Sequence, residues 1–426
     1  MILIYTHKIT PRLRFVVRHL FRRIMGANAE LTDSVDDFVK HAGPKLTYAR
    51  QPLQSEFFIR SNELLFDRNI EPQDIHWRDW EGVPCFFELD SRSSVPFDIF
   101  SASFFLLSRY EEYLPHQKDD FGRFRAIESV LSDRQGAMKR PLVDLWALKL
   151  KAALLEAFPG IEFNDRIYQV NVVITAISAH KYSYRSISRH VLESLIDIGK
   201  MRFTALSSRF KTVVLGQKDP YDNYLELQQP LSEMGVSLFP FFQYSRYDVN
   251  DRNVSWSKSK YGFFLKHIND YLEIGYLRSR MAIEDAGLFK LELKKMQQLL
   301  HRPLYKAVLS EHRVLLPDAY QELVQEEVKE DFSMGYADVI GFRAGTCTPF
   351  PFYDLGLEVE QPLRVYPICA SHEALRALDI ETVEKQLMNS ANEVKAVNGI
   401  FCLQLSNKYI HEMGIESVTR FVNAVV

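Results

Sequence analysis

The sequence has few of the features that mark disulfide-stabilised, membrane-spanning or nucleic-acid-binding proteins. Only 4 of its 426 residues are cysteine, and no two of them form a C-x-x-C pair. Each cysteine lies in or beside an apolar run, so we expect buried free thiols in a reducing compartment. No apolar run reaches the roughly 18 residues that a spanning helix needs. A net charge of −3 gives no general attraction to nucleic acid or to anionic lipid.

Common catalytic signatures are missing too. The chain contains no G-x-S-x-G, no H-E-x-x-H and no phosphate-binding G-x-x-x-x-G-K-[ST] motif. Its first residues, MILIY, are typical of a short strand rather than of a signal peptide, because no basic residue precedes the apolar run. We therefore expect a cytoplasmic protein. Outside the first helix the basic residues are mixed with acidic ones, which argues against a nucleic-acid partner.

What the chain does have is ordinary globular composition, with 46% hydrophobic and 25% charged residues. Its length predicts two or three domains. A strong helical pattern over 141–158 ends at Pro159 and Gly160, where we place a boundary. We expect a small α/β domain over 1–160 and a second domain over 166–426.

The N-terminal segment predicts a strand over 2–5 and then an amphipathic helix over 11–25. Thr10 stands where an N-cap belongs, and Pro11 at the first helical position. One face of the helix is apolar, and the other carries Arg12, Arg18, Arg22 and Arg23. We favour a surface helix packed on its own domain, while contact with anionic lipid is the alternative.

A second helix is predicted over 97–114, with Asp98 as its cap. It contains Arg109, Glu111 and Glu112, which we interpret as structural charge pairs rather than as acid–base groups, because paired charges on a helix face are far commoner as structure.

After residue 165, apolar runs alternate with helical patterns, and one helix is predicted to begin at Asp219 with Pro220 in its first turn. This alternation predicts a parallel sheet or barrel. The seven expected strands are 170–175, 236–242, 272–277, 305–310, 339–344, 363–369 and 400–406.

Four stretches together resemble a bacterial polysaccharide deacetylase-like family. They are DFSMGYADVIGFRAGTCTPFPFYDL (331–355), the N-terminal MILIYTHKITPR, FDIFSASFFLLSRYEEYLP ending at Pro115, and KDPYDNYLEL from Lys218. Members of this family join an N-terminal α/β region to a NodB-like deformed barrel. The resemblance therefore implies an α/β fold: a small N-terminal α/β domain followed by a seven-stranded (β/α) barrel.

The resemblance also implies a metal-dependent deacetylase centre at the carboxyl ends of the strands. A divalent ion such as zinc would polarise the amide carbonyl and activate a water. A carboxylate would take the proton of that water, and a histidine would protonate the leaving amine.

The residues that such a centre needs do not stand where the resemblance places them. Ala176 and Ser178 take the places of an Asp-x-Asp pair, and Leu277 takes the place of a metal-binding histidine. Ser406 replaces the acid histidine. These side chains supply neither a base nor ligands, so no catalytic residue and no cofactor is expected at this centre.

Some polar residues that the resemblance implies near this centre are present in the sequence. Arg343 matches the orienting arginine of the family. In this chain it binds either a ligand anion or an internal carboxylate such as Asp331 or Asp354, and we favour the internal pair. Asn407 is retained after the last strand. Glu311, His312 and His372 lie near the expected rim, as does Tyr276. All four are candidate binding residues, and Glu311, His312 and His372 are alternatively a substitute site for zinc or another divalent ion.

Three functions follow from these observations. We favour a catalytically inactive deacetylase-like protein that binds a glycan or a protein partner. One alternative is an active hydrolase of N- or O-acetylated polysaccharide, with a rearranged site at His312 or His372. The other is a scaffold of a polysaccharide-assembly complex.

Overall fold

The computed structural model describes all 426 residues, which form a mixed α/β structure. The chain divides into two compact units. Unit 1 contains Met1–Gln169 and His312–Cys402, and unit 2 contains Val170–Glu311 and Leu403–Val426. Residues 312–402 therefore lie with the N-terminal segment in one unit. The division near residue 160 into two separately folding domains stays a prediction.

The strands are numbered along the chain. They are β1 (Ile2–Tyr5), β2 (Ala29–Thr32), β3 (Lys45–Ala49), β4 (Phe57–Arg60), β5 (Arg78–Trp80), β6 (Val83–Cys85), β7 (Gln169–Ala176), β8 (Ser237–Phe242), β9 (Gly275–Arg278), β10 (Lys306–Leu309), β11 (Glu330–Asp331), β12 (Phe350–Asp354), β13 (Val359–Val365), β14 (Ala370–Ser371) and β15 (Ile400–Ser406).

None of the helices has the length and apolar composition that crossing a bilayer requires. The α-helices are α1 (Pro11–Val17), α2 (Val35–Lys40), α3 (Ile99–Leu107), α4 (Leu142–Ala157), α5 (Ile187–Gly199), α6 (Phe203–Val213), α7 (Tyr224–Glu233), α8 (Ser259–Tyr271), α9 (Arg280–Glu284), α10 (Ala286–Leu300), α11 (Asp318–Gln325), α12 (His372–Arg376), α13 (Ile380–Lys395), α14 (Asn407–Met413) and α15 (Ile415–Val425).

Unit 1 contains a four-stranded parallel sheet in the order β2-β1-β3-β4. Its strand β1 confirms the strand predicted at 2–5. In the same unit β13 pairs in parallel with β11 and antiparallel with β12. The four cysteines are free and buried, as the sequence predicted.

The predicted amphipathic helix forms as α1, continued by a π-helical segment over Arg18–Ile24. The Thr10 hydroxyl caps it by accepting a hydrogen bond from the Leu13 amide at 3.1 Å. The apolar stripe is buried, and so is Arg12, which binds the Glu358 carboxylate. Arg18 and Arg23 pair with Glu360 of the same unit. Lipid contact by helix 11–25 stays a prediction.

Unit 2 is built on parallel strands. β7 pairs with β8, β8 with β9, and β9 with β10, and the last residue of β7, Ala176, lies opposite Phe242. β7 is buried on both faces, as its Val- and Ile-rich sequence predicts for a parallel strand. Because all these strands run the same way, their carboxyl ends meet at one edge of the sheet.

Two predicted elements are wrong. No strand forms at 339–344, since its backbone is used in loop contacts: the Gly341 amide donates to the Cys369 carbonyl, and the Phe342 amide donates to the Met138 carbonyl. The helix expected at Asp219 begins instead at Tyr224. The Asp219 carboxylate is occupied by the backbone amides of 181–183, which hold the loop after β7.

The close approach at Gly341 gives a stability prediction. A Cβ atom at this position would lie 2.6 Å from the Met138 carbonyl oxygen, so Gly341→Ala forces the loop to move. We expect a loss of about 1–3 kcal/mol in the free energy of unfolding, measured by urea denaturation. Gly160→Ala is the matched control because nothing lies within 4 Å of its added Cβ. Equal stability of the two variants would contradict the prediction.

Candidate functional site

The strand ends of unit 2 hold the positions where the resemblance places a metal centre. Ala176 is fully buried at the end of β7, and Leu277 is buried within β9. The Ser178 hydroxyl donates to the His180 carbonyl at 2.8 Å, and so closes the turn after β7. The first two side chains pack in the core, and the third is engaged by the backbone.

The end of β15 is used in the same way. The Ser406 hydroxyl caps α14 by accepting from the Tyr409 amide at 3.1 Å. The Asn407 side-chain amide donates to the Ser178 carbonyl and to the Tyr224 hydroxyl, each at 2.8 Å. Asn407 therefore joins the ends of β15 and β7, which gives a structural role to a residue that the sequence marked only as retained.

Tyr276 is also committed to an internal partner. Its hydroxyl donates to Glu292 Oε2 at 2.8 Å, and the Ser279 hydroxyl donates to Oε1 at 2.9 Å. Burial raises the pKa of Glu292 from its ordinary 4.5 to about 7, although both hydrogen bonds act to lower it. The phenol of Tyr276 thus supports a buried carboxyl group of α10.

The strand ends of unit 2 hold no group of three potential metal ligands. In the 426 described residues, no three His, Cys, Asp or Glu side chains lie close enough to hold a metal ion together, and this includes Glu311, His312 and His372. Glu311 is within the short 3₁₀ segment Ser310–His312, and His372 is the first residue of α12.

Unit 1 contains a different concentration of charge, centred on Arg343. This guanidinium is buried and binds Glu112 with two hydrogen bonds, Nε to Oε1 at 2.9 Å and Nη2 to Oε2 at 2.6 Å. Arg109, which is equally buried, donates to Glu112 Oε1 and to Glu111 Oε1, both at 2.7 Å. Two arginines and two glutamates therefore neutralise each other in the interior.

Glu112 is the central member of this cluster, here called the Glu112 cluster (Arg109, Glu111, Glu112 and Arg343). Burial acts to raise its pKa, but Arg343 and Arg109 prevail and hold the pKa of Glu112 below its ordinary value. The Phe124 ring contacts both guanidinium groups: the guanidinium carbons of Arg109 and Arg343 lie 5.4 and 5.7 Å from the ring centre. The partner of Arg343 is thus Glu112, not Asp331 or Asp354.

Sequence analysis missed Glu112 as the partner of Arg343. The two residues are 231 positions apart, and the pattern around Glu112 predicts only a helix surface. One local feature sets the geometry: α3 ends at Leu107 with Ser108 as its C-cap, and Arg109 follows with φ of 53°, in the left-handed region. This turn redirects the chain, and it places Arg109, Glu111 and Glu112 inside the unit.

A cavity of about 410 Å³ lies beside the Glu112 cluster. Arg343 and Phe124 form part of its wall, together with His312, which the sequence had marked as a candidate. The other residues of the wall mix charged and apolar side chains, among them Arg123, Asp338, Met138 and Val339.

His312 is the group in this wall that lacks a partner. It is 3% exposed; Nδ1 lies 3.3 Å from the Ser333 carbonyl, while Nε2 is buried without a hydrogen bond. Burial is the main cause that lowers the pKa of His312 to about 4; Arg343 and Arg123 contribute to this shift, and the contact with Ser333 opposes it. The ring is therefore neutral at neutral pH, with the Nδ1 proton donated to Ser333 and a free lone pair on Nε2.

The backbone that presents His312 is strained. Glu311 and His312 have φ of 58° and 55°, so two consecutive non-glycine residues lie in the left-handed region. Such residues cost about 1–3 kcal/mol each and are concentrated at functional sites. The strain and the unpaired nitrogen both make His312 a candidate ligand-binding residue.

The raised pKa of Glu292 predicts a pH dependence of unit 2. Between pH 4.5 and 7 the folded state holds a proton that the unfolded state has released, so stability falls as pH rises through this window. Glu292→Gln keeps a neutral side chain at every pH. We expect it to remove roughly 3 kcal/mol of this decline, measured as urea denaturation at pH 5 and pH 8. An unchanged pH profile in the variant would contradict the assignment.

The Glu112 cluster predicts a large stability loss when its central carboxylate is removed. Glu112→Gln leaves Arg109 and Arg343 buried with one carboxylate between them, and we expect it to cost about 3–5 kcal/mol in the free energy of unfolding. Glu63→Gln removes an exposed pair with Arg50 and is expected to cost under about 1 kcal/mol. The measurement is the denaturant midpoint of each variant, and equal destabilisation by Glu112→Gln and Glu63→Gln would contradict a buried network.

Comparisons with known proteins give limited likenesses. Residues 2–159, less than half of the chain, match the model of a family of unknown function (DUF7033). No curated protein matches the sequence. Among solved structures, the chain is similar to a protein from Mycobacterium smegmatis described as a polysaccharide deacetylase, at a TM-score of 0.40 and 10% sequence identity. That match covers 62% of this chain and 85% of the other.

Proposed function

We propose that this chain is a non-catalytic, deacetylase-like protein that binds a glycan, as polysaccharide or precursor, in the cavity of unit 1. The observation that carries the proposal is His312 Nε2, a buried acceptor without a partner in the wall of that cavity. The N-terminal α/β domain and the seven-stranded barrel of the deacetylase-like family are part of the proposal. The buried free thiols support a cytoplasmic location.

The proposed loss of catalysis is supported by the structural roles of the side chains at the four positions where the resemblance expects catalytic or metal-binding residues. Ala176 and Leu277 are packed in the core, while Ser178 and Ser406 are engaged in local backbone hydrogen bonds. A metal-dependent amide hydrolase needs ligands for its ion and a base for its water. These side chains supply neither.

The cavity suits a sugar unit. Its volume of about 410 Å³ falls within the range of small-ligand sites. Apolar side chains such as Met138 and Val339 can pack on the C–H face of a pyranose, while Arg123 and Asp338 can bind its polar groups. A buried acceptor without a partner costs about 1–3 kcal/mol, so a ligand hydroxyl or amide N–H that donates to His312 Nε2 recovers this cost.

The electrostatics of His312 favour binding over proton transfer. A general base works best when its pKa lies near the working pH. With a pKa lowered to about 4, the ring of His312 accepts a proton poorly at neutral pH, although it still accepts a hydrogen bond. This supports the binding protein over the hydrolase with a rearranged site.

The test is titration calorimetry with N-acetylglucosamine oligomers and, separately, an assay for released acetate. We expect binding without acetate release. His312→Asn tolerates the left-handed backbone but removes the ring nitrogen, and we expect it to weaken binding by about five- to tenfold, the value of one hydrogen bond. His267→Asn, an exposed residue of unit 2, is the matched control and should bind as the wild type does.

Either of two results would overturn the proposal. Acetate release that depends on the protein would show a hydrolase, and loss of that release in His312→Asn would identify its base. Equal affinities of the wild type and His312→Asn would remove the cavity as the binding site.

A further inference from the structure

The α5–α6 hairpin, residues 187–215 of unit 2, exposes apolar side chains and buries charged ones, the opposite of an ordinary surface hairpin. α5 and α6 pack against each other, yet their large apolar side chains point to solvent. Leu195 is 62% exposed, Phe203 60% and Val214 63%. The other exposed apolar side chains are Ile187, Val191, Leu192, Ile196, Ile198, Met201, Phe210, Val213 and Leu215.

The inner face of the hairpin is polar instead. Asp197 is buried and accepts from Arg209 at 2.6 Å, and Glu193 accepts from Arg189 at 2.8 Å and from Arg209 as well. Arg185 adds a further contact to Glu193 at 3.2 Å. The two acidic residues of this region therefore form ion pairs within the hairpin. The apolar stripe of α5 is exposed to solvent; it consists of Ile187, Val191, Leu195 and Ile198, spaced i, i+4, i+8, i+11.

The charge around this face is strongly positive. Residues 181–218 contain eight Lys and Arg and two acidic residues, a net charge of +6 in a chain whose total is −3. Lys200, Arg202, Lys211 and Lys218 are exposed on the hairpin or at its edge. An exposed apolar face bordered by cations fits the boundary between lipid headgroups and acyl chains.

A pocket at the start of the hairpin fits a headgroup. A cavity of about 350 Å³ is lined by Arg185, Arg189 and Lys258, with Tyr247 beside them. The Arg185 side chain is 11% exposed, and its Nε is buried without a hydrogen-bond partner. An anionic phosphate oxygen is a strong hydrogen-bond acceptor for a guanidinium N–H such as that of Arg185 Nε.

We propose that the α5–α6 hairpin docks unit 2 on an anionic lipid surface. The apolar stripe lies among the acyl chains near the interface, the exposed Lys and Arg side chains meet the headgroups, and Arg185 binds a lipid phosphate. α5 and α6 have 13 and 11 residues, too short to span, so the hairpin lies in the plane of the interface. The net charge of +6 opposes the pairing of two such hairpins from two copies of the chain.

The experiment is flotation of the full chain with vesicles of phosphatidylcholine alone or of equal parts phosphatidylcholine and phosphatidylglycerol. We expect binding to the anionic vesicles that weakens as salt is added. The triple variant Lys200→Gln, Arg202→Gln, Lys211→Gln should bind roughly a hundredfold more weakly, because each cation near an anionic surface contributes about a factor of five.

The matched control removes the same charge from the other basic helix, with Arg14→Gln, Arg18→Gln and Arg22→Gln, and it should bind as the wild type does. A second pair tests the apolar stripe: Leu192→Ser with Leu195→Ser should lose binding, whereas Phe263→Ser with Leu357→Ser, also exposed apolar residues, should keep it.

Three outcomes would overturn the proposal. Equal binding to neutral and anionic vesicles, or none to either, would remove the lipid surface as the partner. Loss of binding only in the Arg14, Arg18, Arg22 variant would move the contact to the N-terminal helix. A concentration-dependent dimer in sedimentation, abolished by Leu192→Ser with Leu195→Ser, would show that a second copy covers the hairpin.

Discussion

The carboxylate of Glu112 binds two guanidinium groups, those of Arg109 and Arg343, inside unit 1. Desolvating an ion costs several kcal/mol, so Arg109 and Arg343 are tolerated in the interior only because Glu112 and Glu111 contact them at hydrogen-bond distance. The cluster also connects the two stretches of chain that make up the unit, since Glu112 comes from the first and Arg343 from the second. The cavity wall that contains Arg343 and Phe124 depends on this charge balance.

In unit 2 several neutral side chains help to hold the carboxyl ends of the strands, beside the Asp219 carboxylate. Asn407 binds the backbone after β7, Ser406 caps a helix, and Tyr276 donates to a buried carboxyl group. Asn407 thus ties the end of β15 to the end of β7. Buried polar atoms without a hydrogen-bond partner include His180 Nδ1 in the loop after β7, His312 Nε2 in unit 1 and Arg185 Nε just before α5.

The elements that follow from local patterns could be predicted, and those that follow from distant contacts could not. Periodicity and capping were enough for β1, α1, α4 and most parallel strands, because short-range side-chain chemistry decides them. The stretch 339–344 has the composition of a strand, but its backbone bonds to Met138 and Cys369, which no local signal reveals. For the same reason Glu112 looked like a surface charge. Arg343 and His312 were predicted as candidates, but not their burial or their partners.

The two-segment construction of unit 1 has a consequence for synthesis. Glu112 leaves the ribosome 231 residues before Arg343, and the whole of unit 2 except its last strand and helices is made in between. At about 5–20 residues per second, the first segment waits roughly 10–50 s for the arginine that completes its interior. During that interval the apolar side chains of α1 and α3 lack partners from the second segment, such as Tyr353, on which Phe15 and Phe104 pack in the complete unit.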